Sequence, residues 1–131
     1  MSHFTTVRTK IVSLEHLKGA LDDMQMAYQQ GTVSIPVSVR GYGGKTTPVE
    51  IKVPTKNAGY DLGFRKSGEQ YELVADWWGI RDIRQDEFVQ RLNQRYAYHV
   101  AKEQLESQDF TIVEETVGED QTIHLCVRRM V

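Results

Sequence analysis

Apolar residues recur along this chain with two different spacings, and this change of period is the feature that most restricts its fold. In two segments they return every three or four residues, as on one face of a helix. In the other segments they return every second residue, as in a strand with one buried face. The order is strand, helix, four strands, helix, two strands. It predicts an α+β fold in which two helices cover one face of a largely antiparallel sheet of about six to seven strands, with the other face in contact with water.

Both helices have recognisable limits in the sequence. The first follows Ser13, a residue type favoured at an N-cap, and should end near Gly31. Its apolar stripe contains Leu14, Leu17, Leu21 and Met24. The second should begin at Asp86, which can cap it. Its apolar positions are Phe88, Val89, Leu92, Tyr96, Ala97, Val100, Ala101 and Leu105.

The strands are predicted to pair as hairpins after a first strand at residues 3–12. Residues 33–39 alternate cleanly and should pair with residues 49–53 across a glycine loop, with Pro36 at a sheet edge or a bulge. Residues 60–65 and 70–78 flank the turn "KSGE" and predict a second hairpin. A third should join residues 110–117 to residues 122–130.

Length and composition are typical of one globular domain spanning residues 1–131. Sixteen basic and eighteen acidic residues leave a formal charge of −2, which does not favour nucleic acid or anionic membranes as partners. Cys126 is the only cysteine, and no leader or long apolar run is present. These features favour a soluble protein of a reducing compartment, without membrane insertion.

The glycine-rich stretch "VRGYGGKTTP" at residues 39–48 resembles part of a phosphate-binding loop. Gly44, Lys45 and Thr46 match the end of that motif, but Val39 stands where its first glycine should be. Pro48 then begins another strand instead of a helix. We therefore interpret the stretch as a hairpin loop, whose residues Arg40, Tyr42 and Lys45 could contact a partner.

The stretch "YELVADWWGI" at residues 71–80 places its two tryptophans on opposite faces of a strand. Trp77 should be in the core, whereas Trp78 should be exposed and is a candidate contact residue, unless a loop or subunit covers that face as well. Asp76 is either a general base in a pocket or, as we favour, a partner of an arginine.

The second helix carries hydrogen-bonding aromatic residues in "NQRYAYHV". Tyr96, Tyr98 and His99 could line a pocket between this helix and the sheet, together with Asp76. Alternatively, they border the core with their polar ends in water. A basic stripe on the same helix is interpreted as solvated surface, because acidic residues accompany it. Its members are Arg84, Arg91, Arg95 and Lys102.

A metal site is not predicted. His124 and Cys126 point to the same side of the last strand, but no paired ligand spacing accompanies them. A buried cysteine near a hydrogen-bonded histidine is the preferred interpretation.

Six separated stretches, in order and over nearly the whole chain, resemble one plastid and cyanobacterial family. They are "MSHFTTVRTKI", "VRGYGGKT", "YDLGF", "YELVAD", "LNQRYAYHV" and "IHLCVRRM". The family is known as hypothetical chloroplast open reading frame thirty-five, a domain of unknown function. The resemblance implies a cyanobacterial cytoplasm or a chloroplast stroma, and it supplies no catalytic residues.

The sequence therefore favours a non-enzymatic module that binds another protein and requires no cofactor. The expected partner surface consists of Arg40, Tyr42, Lys45 and Trp78, and a homodimer is one form that such binding could take. The alternative is a small-molecule or enzymatic pocket lined by Asp76, Tyr96, Tyr98 and His99. No residue is assigned as catalytic, and nucleic acid is not an expected partner.

Overall fold

The computed structural model describes residues 3–130, so residues 1, 2 and 131 of the expected 1–131 domain lie outside it. It contains two α-helices, α1 (Leu14–Asp23) and α2 (Gln85–Ser107). The strands are β1 (Thr5–Arg8), β2 (Gln29–Gln30), β3 (Val37–Arg40), β4 (Thr46–Val49), β5 (Ile51–Pro54), β6 (Asp61–Ser67), β7 (Gln70–Ala75), β8 (Phe110–Val117) and β9 (Ile123–Arg129). Short 3-10 turns occupy Tyr42–Gly44 and Trp77–Gly79.

Five strands form one antiparallel sheet in the order β1-β7-β6-β5-β2. Leu62 lies opposite Ala75 on one side and Val53 on the other, so these side chains share a face of the sheet. Both helices pack on that face. The buried residues of this core are Ile11, Leu17, Ala20, Leu21, Ile51, Val53, Leu62, Phe64, Tyr71, Leu73, Ala75, Ile80, Phe88 and Leu92. The α+β class, the antiparallel pairing and the helices on one face are thus confirmed.

The second face of the sheet is also covered, which corrects the expectation of a face in contact with water. The β3–β4 hairpin packs there, and Val39, Val49 and Val74 form a second buried cluster. Gly63 of β6 makes this approach possible, because a Cβ at that position would overlap the Val39 side chain. The alternation of apolar and polar residues in a strand shows that its two faces differ, but it does not show what packs on each face.

The strand expected at residues 33–39 begins only at Val37. The Thr32 N–H donates to the Ile35 carbonyl, and the Ile35 N–H donates to Thr32 Oγ1, each at 2.9 Å. These local bonds close a turn and compete with strand pairing. Val33 and Ile35 are consequently 79% and 78% exposed.

The predicted hairpin across the glycine loop forms, with Val37 opposite Val49, but its second strand is Thr46–Val49 and not residues 49–53. β3 pairs with β4, whereas β5 pairs with β6 in the main sheet. Glu50 alone separates β4 from β5, so the chain passes there from the hairpin layer into the sheet.

The helix limits differ from those expected at two of the four ends. The Ser13 hydroxyl accepts a hydrogen bond from the His16 N–H at 3.3 Å, which confirms the predicted cap. Helix α1 nevertheless ends at Asp23, well before Gly31, and Gln25 then adopts a φ of 57°. Arg84, not Asp86, is the N-cap of α2.

The second and third hairpins form as predicted from β6–β7 and β8–β9. The β8–β9 pair is not hydrogen-bonded to the five-stranded sheet, and it packs on α2. β7 ends at Ala75, so both tryptophans lie in a 3-10 turn and not in the strand as expected.

Candidate functional site

The glycine loop is a hairpin turn, as predicted. Its ends are joined by a 2.9 Å hydrogen bond from the Gly41 N–H to the Lys45 carbonyl, and β4 follows it directly. Gly43 and Gly44 have φ values of 69° and 77°, which favour glycine. No helix follows to direct its N-terminus at a phosphate, so the loop lacks the geometry of a phosphate-binding loop.

Asp76 fixes this loop to the end of β7. Its side chain is buried, and its Oδ2 accepts a 3.0 Å hydrogen bond from the Tyr42 N–H. Gly41 is buried between Asp76 and the Phe4 ring, where a Cβ would lie 3.0 to 3.1 Å from both. The carboxylate therefore holds the backbone of the loop in one position.

A second buried acid, Asp61, anchors the end of β3 through Arg40. Arg40 donates to it from Nε at 2.9 Å, from a terminal guanidinium nitrogen at 3.1 Å and from its own backbone N–H at 2.9 Å. Lys52 Nζ lies 3.8 Å from Asp61 Oδ2. Burial by itself would raise the pKa of Asp61, but the bonds from Arg40 and the charge of Lys52 outweigh it, so the pKa is lowered. Asp61 thus remains ionised and orients Arg40.

Two aromatic side chains project from this supported base. Trp78 is 63% exposed and Tyr42 is 46% exposed. Their rings meet edge to face, with centroids 5.4 Å apart and planes at 89°. Trp77, in contrast, packs against the core, so the prediction of one core and one exposed tryptophan is confirmed.

Tyr60 supports the turn that carries Trp78. Its ring lies directly on Gly79, because a Cβ on Gly79 would overlap the ring atoms. Burial raises the pKa of Tyr60, and the nearby charges of Asp76 and Tyr42 raise it further. The phenol, which is neutral at pH 7 at its ordinary pKa, therefore stays neutral beside Asp76 up to a higher pH than usual.

We call the surface formed by Arg40, Tyr42, Lys45 and Trp78 the aromatic corner. The structure brings Tyr42 and Trp78 into contact, and it places Arg40 and Lys45 at the two ends of the same loop. The sequence identified these four residues, but it missed the supporting residues Asp61 and Tyr60. The signal available in the sequence was Tyr60 and Asp61 in "YDLGF", where an acid directly precedes apolar residues of a predicted strand.

The residues proposed for a pocket form two separate groups. Asp76 contacts the glycine loop on the sheet face covered by the β3–β4 hairpin. The other three lie on α2, on the opposite face. The Tyr96 hydroxyl accepts hydrogen bonds from the N–H groups of Val12 and Ser13, each at 3.0 Å. The structure therefore does not bring Asp76 together with the tyrosines and the histidine.

His99 and Tyr98 belong to a charged network that joins the helices. His99 Nε2 lies 2.7 Å from Asp23 Oδ2 of α1, and Arg95 Nε donates to the same oxygen at 2.8 Å. Arg95 also pairs with Glu115 of β8, and its guanidinium lies 4.3 Å from the centroid of the Tyr98 ring. The basic stripe is thus partly neutralised within the molecule.

The last strand provides no metal centre. His124 and Cys126 are both exposed, which corrects the expectation that the cysteine is buried. The β8–β9 hairpin has only one packed face, on α2, and these residues point away from it. Within residues 3–130, no three His, Cys, Asp or Glu side chains are grouped as metal ligands would be.

None of the helices within residues 3–130 has the length and apolar character needed to cross a membrane.

Comparison with known proteins gives one consistent result. A family model described as "Protein of unknown function (DUF1257)" matches residues 20–126. The proteins named "Uncharacterized protein ycf35" of Cyanophora paradoxa and Guillardia theta are each 34% identical to this chain, over 98% of both lengths. The protein of the same name from Pyropia yezoensis is 31% identical over 98% of both lengths. No solved structure matches the chain. The resemblance carried by the six sequence stretches is confirmed, and the chain belongs to the ycf35 family of proteins of unknown function.

Proposed function

We propose that this protein is a non-enzymatic module that binds another protein through the aromatic corner. The observation that carries the proposal is the exposed pair of Trp78 and Tyr42, which is held in a fixed geometry by buried groups. Tryptophan, tyrosine and arginine are the residue types that contribute most to protein interfaces. Large aromatic side chains that the free chain leaves in water mark a surface at which a partner can bind.

The buried support lowers the entropic cost of binding. Asp76 fixes the loop that bears Tyr42, and Tyr60 packs under the turn that bears Trp78. A loop that is already ordered loses little conformational entropy when a partner binds. The two acids serve this positioning role, so neither needs a part in acid–base chemistry.

Charge defines the partner further. Lys45 is exposed at the end of the loop, and the Arg40 side chain is 49% exposed even though Asp61 binds it. Both acids at this site are buried. The corner therefore suits an apolar segment flanked by acidic residues, and a nucleic acid or a cofactor is not required.

The algal sources of the relatives support a chloroplast stroma as the site of action, and a cyanobacterial cytoplasm is proposed only from the sequence resemblance. The alternative function, a pocket lined by Asp76, Tyr96, Tyr98 and His99, has weaker support because the sheet separates Asp76 from the other three.

The test is quantitative capture of partners by the tagged protein from an extract of its source cells, followed by binding measurements with the purified partner. Trp78→Ala should weaken binding at least about tenfold, as expected for an interface aromatic. Val33→Ala is the matched control, since Val33 is 79% exposed but lies outside the corner. Equal binding by wild type and Trp78→Ala would overturn the proposal.

A further inference from the structure

The first strand, β1, forms one edge of the five-stranded sheet. Among residues 3–130, the strand order places β7 on one side of β1 and no strand on the other. The opposite edge strand, β2, has only two residues, Gln29–Gln30. β1 contains neither a proline nor a bulge, which are two devices that block pairing at a sheet edge. Its outer side can therefore accept a further strand.

The register of the sheet identifies which backbone groups of β7 point toward β1. The two-residue turn between β6 and β7 is closed by Ser67 and Gln70, which form the first hydrogen-bonded pair of the hairpin. Bonding to β6 then alternates along β7, so Leu73 and Ala75 direct their N–H and C=O groups toward β1. The Ala75 carbonyl accordingly accepts a 3.3 Å hydrogen bond from the Thr5 hydroxyl.

The same alternation identifies the backbone groups of β1 that point outward. Thr5 and Val7 lie opposite Ala75 and Leu73, so their N–H and C=O groups bond to β7. The N–H and C=O groups of Thr6 and Arg8 consequently point away from β7. Within the described part of the chain, no other group is hydrogen-bonded to them. The edge thus presents two donors and two acceptors to an added strand.

A groove of about 470 Å³ lies between this edge and the start of α2. Its apolar lining consists of Val7 and Val89, which are half-buried, and its remaining residues are Gln85, Asp86 and Gln90. Side chains alternate along a strand, so every second side chain of an added strand would enter the groove. The valines favour an apolar side chain there, and the carboxylate of Asp86 disfavours an acidic one.

The other side-chain row of an added strand would lie beside Arg8. Thr6 lies opposite Val74, whose side chain is buried under the β3–β4 hairpin, so Thr6 and Arg8 point to that face of the sheet. The Arg8 side chain is exposed and forms no ion pair with any residue that the structure describes. Glu72, opposite Arg8, pairs instead with Arg65 at 3.4 Å. Arg8 therefore favours an acidic side chain in this row.

The start of β1 adjoins the aromatic corner. Asp76, which accepts the hydrogen bond from the Tyr42 N–H, directly follows the end of β7 that pairs with β1. The ring of Phe4, the residue before β1, lies against Gly41 of the same loop. A segment paired with β1 would therefore approach the aromatic corner at one of its ends.

We propose that the partner of the aromatic corner presents an extended segment, which pairs with β1 as a sixth strand of the sheet. The segment alternates apolar side chains, which enter the groove beside Val7, with acidic side chains that face Arg8. Main-chain hydrogen bonds supply affinity in this mode of recognition, and the alternate side chains supply specificity. The inference rests on the proposed function for the identity of the partner, but the two use different residues and can fail separately.

Selection of a phage-displayed library of random peptides on the full chain supplies the probe, and the strongest binder is then synthesised. It should alternate apolar and acidic residues. Thr6→Pro should weaken its binding at least about tenfold, because proline removes an outward N–H. The change removes no bond of the fold, since the Thr6 N–H does not point to β7, and circular dichroism verifies folding. Thr6→Ala is the matched control, because it retains the N–H.

Charge reversal tests the predicted acidic row. Arg8→Glu should weaken binding of the same peptide at least about tenfold, and a lysine in place of the acidic residue of the peptide should restore it. Arg128→Glu is the matched control, since Arg128 is an exposed arginine of β9, outside the edge.

Methylation of successive backbone nitrogens of the peptide tests strand pairing without any change in the protein. Binding should be lost at every second position, because only alternate N–H groups of an added strand face β1. Equal binding by wild type and Thr6→Pro, equal effects of methylation at successive positions, or a library without binders would each overturn the proposal. So would a wild-type dimer that Thr6→Pro dissociates, since a second copy would then occupy the edge. A peptide that Trp78→Ala weakens and Thr6→Pro does not would support the aromatic corner alone.

Discussion

Asp61 shows how one residue can connect the stability of this protein to pH. The carboxylate is buried and its pKa is lowered by Arg40 and Lys52, despite the opposing effect of burial. An acid with a lowered folded-state pKa stabilises the fold at every pH above its unfolded value of about 3.9. That stabilisation is lost as the pH falls through the folded-state pKa.

We therefore expect Asp61→Asn to destabilise the protein by about 1–3 kcal/mol at pH 7, since the buried partner of Arg40 is lost. The upper end of that range is limited because half of the Arg40 side chain can return to water. The difference from wild type should shrink below about pH 4. Urea unfolding at pH 7, 5 and 3.5 measures this.

Glu119→Gln provides the control for this series, because Glu119 is an exposed acid in the turn before β9. It should leave the free energy of unfolding unchanged at each pH. A deficit in Asp61→Asn that stays constant down to pH 3.5 would contradict the assigned charge state of Asp61.

Residue patterns identified the parts of the candidate site that face water but not the parts that support it. The exposure of Tyr42 and Trp78 could be predicted from the glycine loop and from the alternation of residues 71–78, although Trp78 in fact lies in a 3-10 turn after the strand. The roles of Tyr60 and Asp61 depend on contacts between distant segments. Such contacts leave no periodic signal in a single sequence.

At the scale of elements, Tyr96 joins α2 to the connection between β1 and α1. Its hydroxyl accepts from the N–H groups of Val12 and Ser13 at 3.0 Å. Tyr96→Phe should lower the free energy of unfolding by about 1 kcal/mol, since two backbone donors lose their acceptor but remain close to water. Chemical denaturation of the two proteins gives the difference.

Tyr98→Phe is the matched control on the same helix. Arg95 contacts the ring of Tyr98, and phenylalanine retains a ring. This change should alter stability much less than Tyr96→Phe. Equal effects of the two substitutions would argue against a specific role for the Tyr96 hydroxyl.

The predicted elements that proved correct are those whose signal is local. The first and second helices, β6–β7 and β8–β9 each have their own period and their own turn residues. The error at residues 33–39 arose because Thr32 closes a local turn and because alternation does not identify the pairing partner. Whether β3 pairs with β4 or with β5 depends on the layer into which each strand packs.

At the scale of the whole molecule, stability is expected to be unevenly distributed. β6 has four consecutive buried residues, Asp61–Phe64, and lies between the helices and the β3–β4 hairpin. β8 and β9 contain no buried residue, and their backbone hydrogen bonds are confined to one hairpin. Segments with little burial open at lower free energy than the core.

Hydrogen exchange under native conditions should therefore show slower exchange in β6 and β7 than in β8 and β9, by at least about tenfold. Equal protection of both hairpins would contradict this division.

The direct passage from β4 to β5 has a consequence for how chain length can vary in this family. Glu50 is the single residue between a strand of the hairpin layer and a strand of the sheet. One inserted or deleted residue there would shift β5 by one position and move Ile51 and Val53 from the core to the opposite face. We therefore expect inserted residues to be tolerated in the exposed turn before β9, whereas the length of the β4–β5 connection at Glu50 should remain fixed.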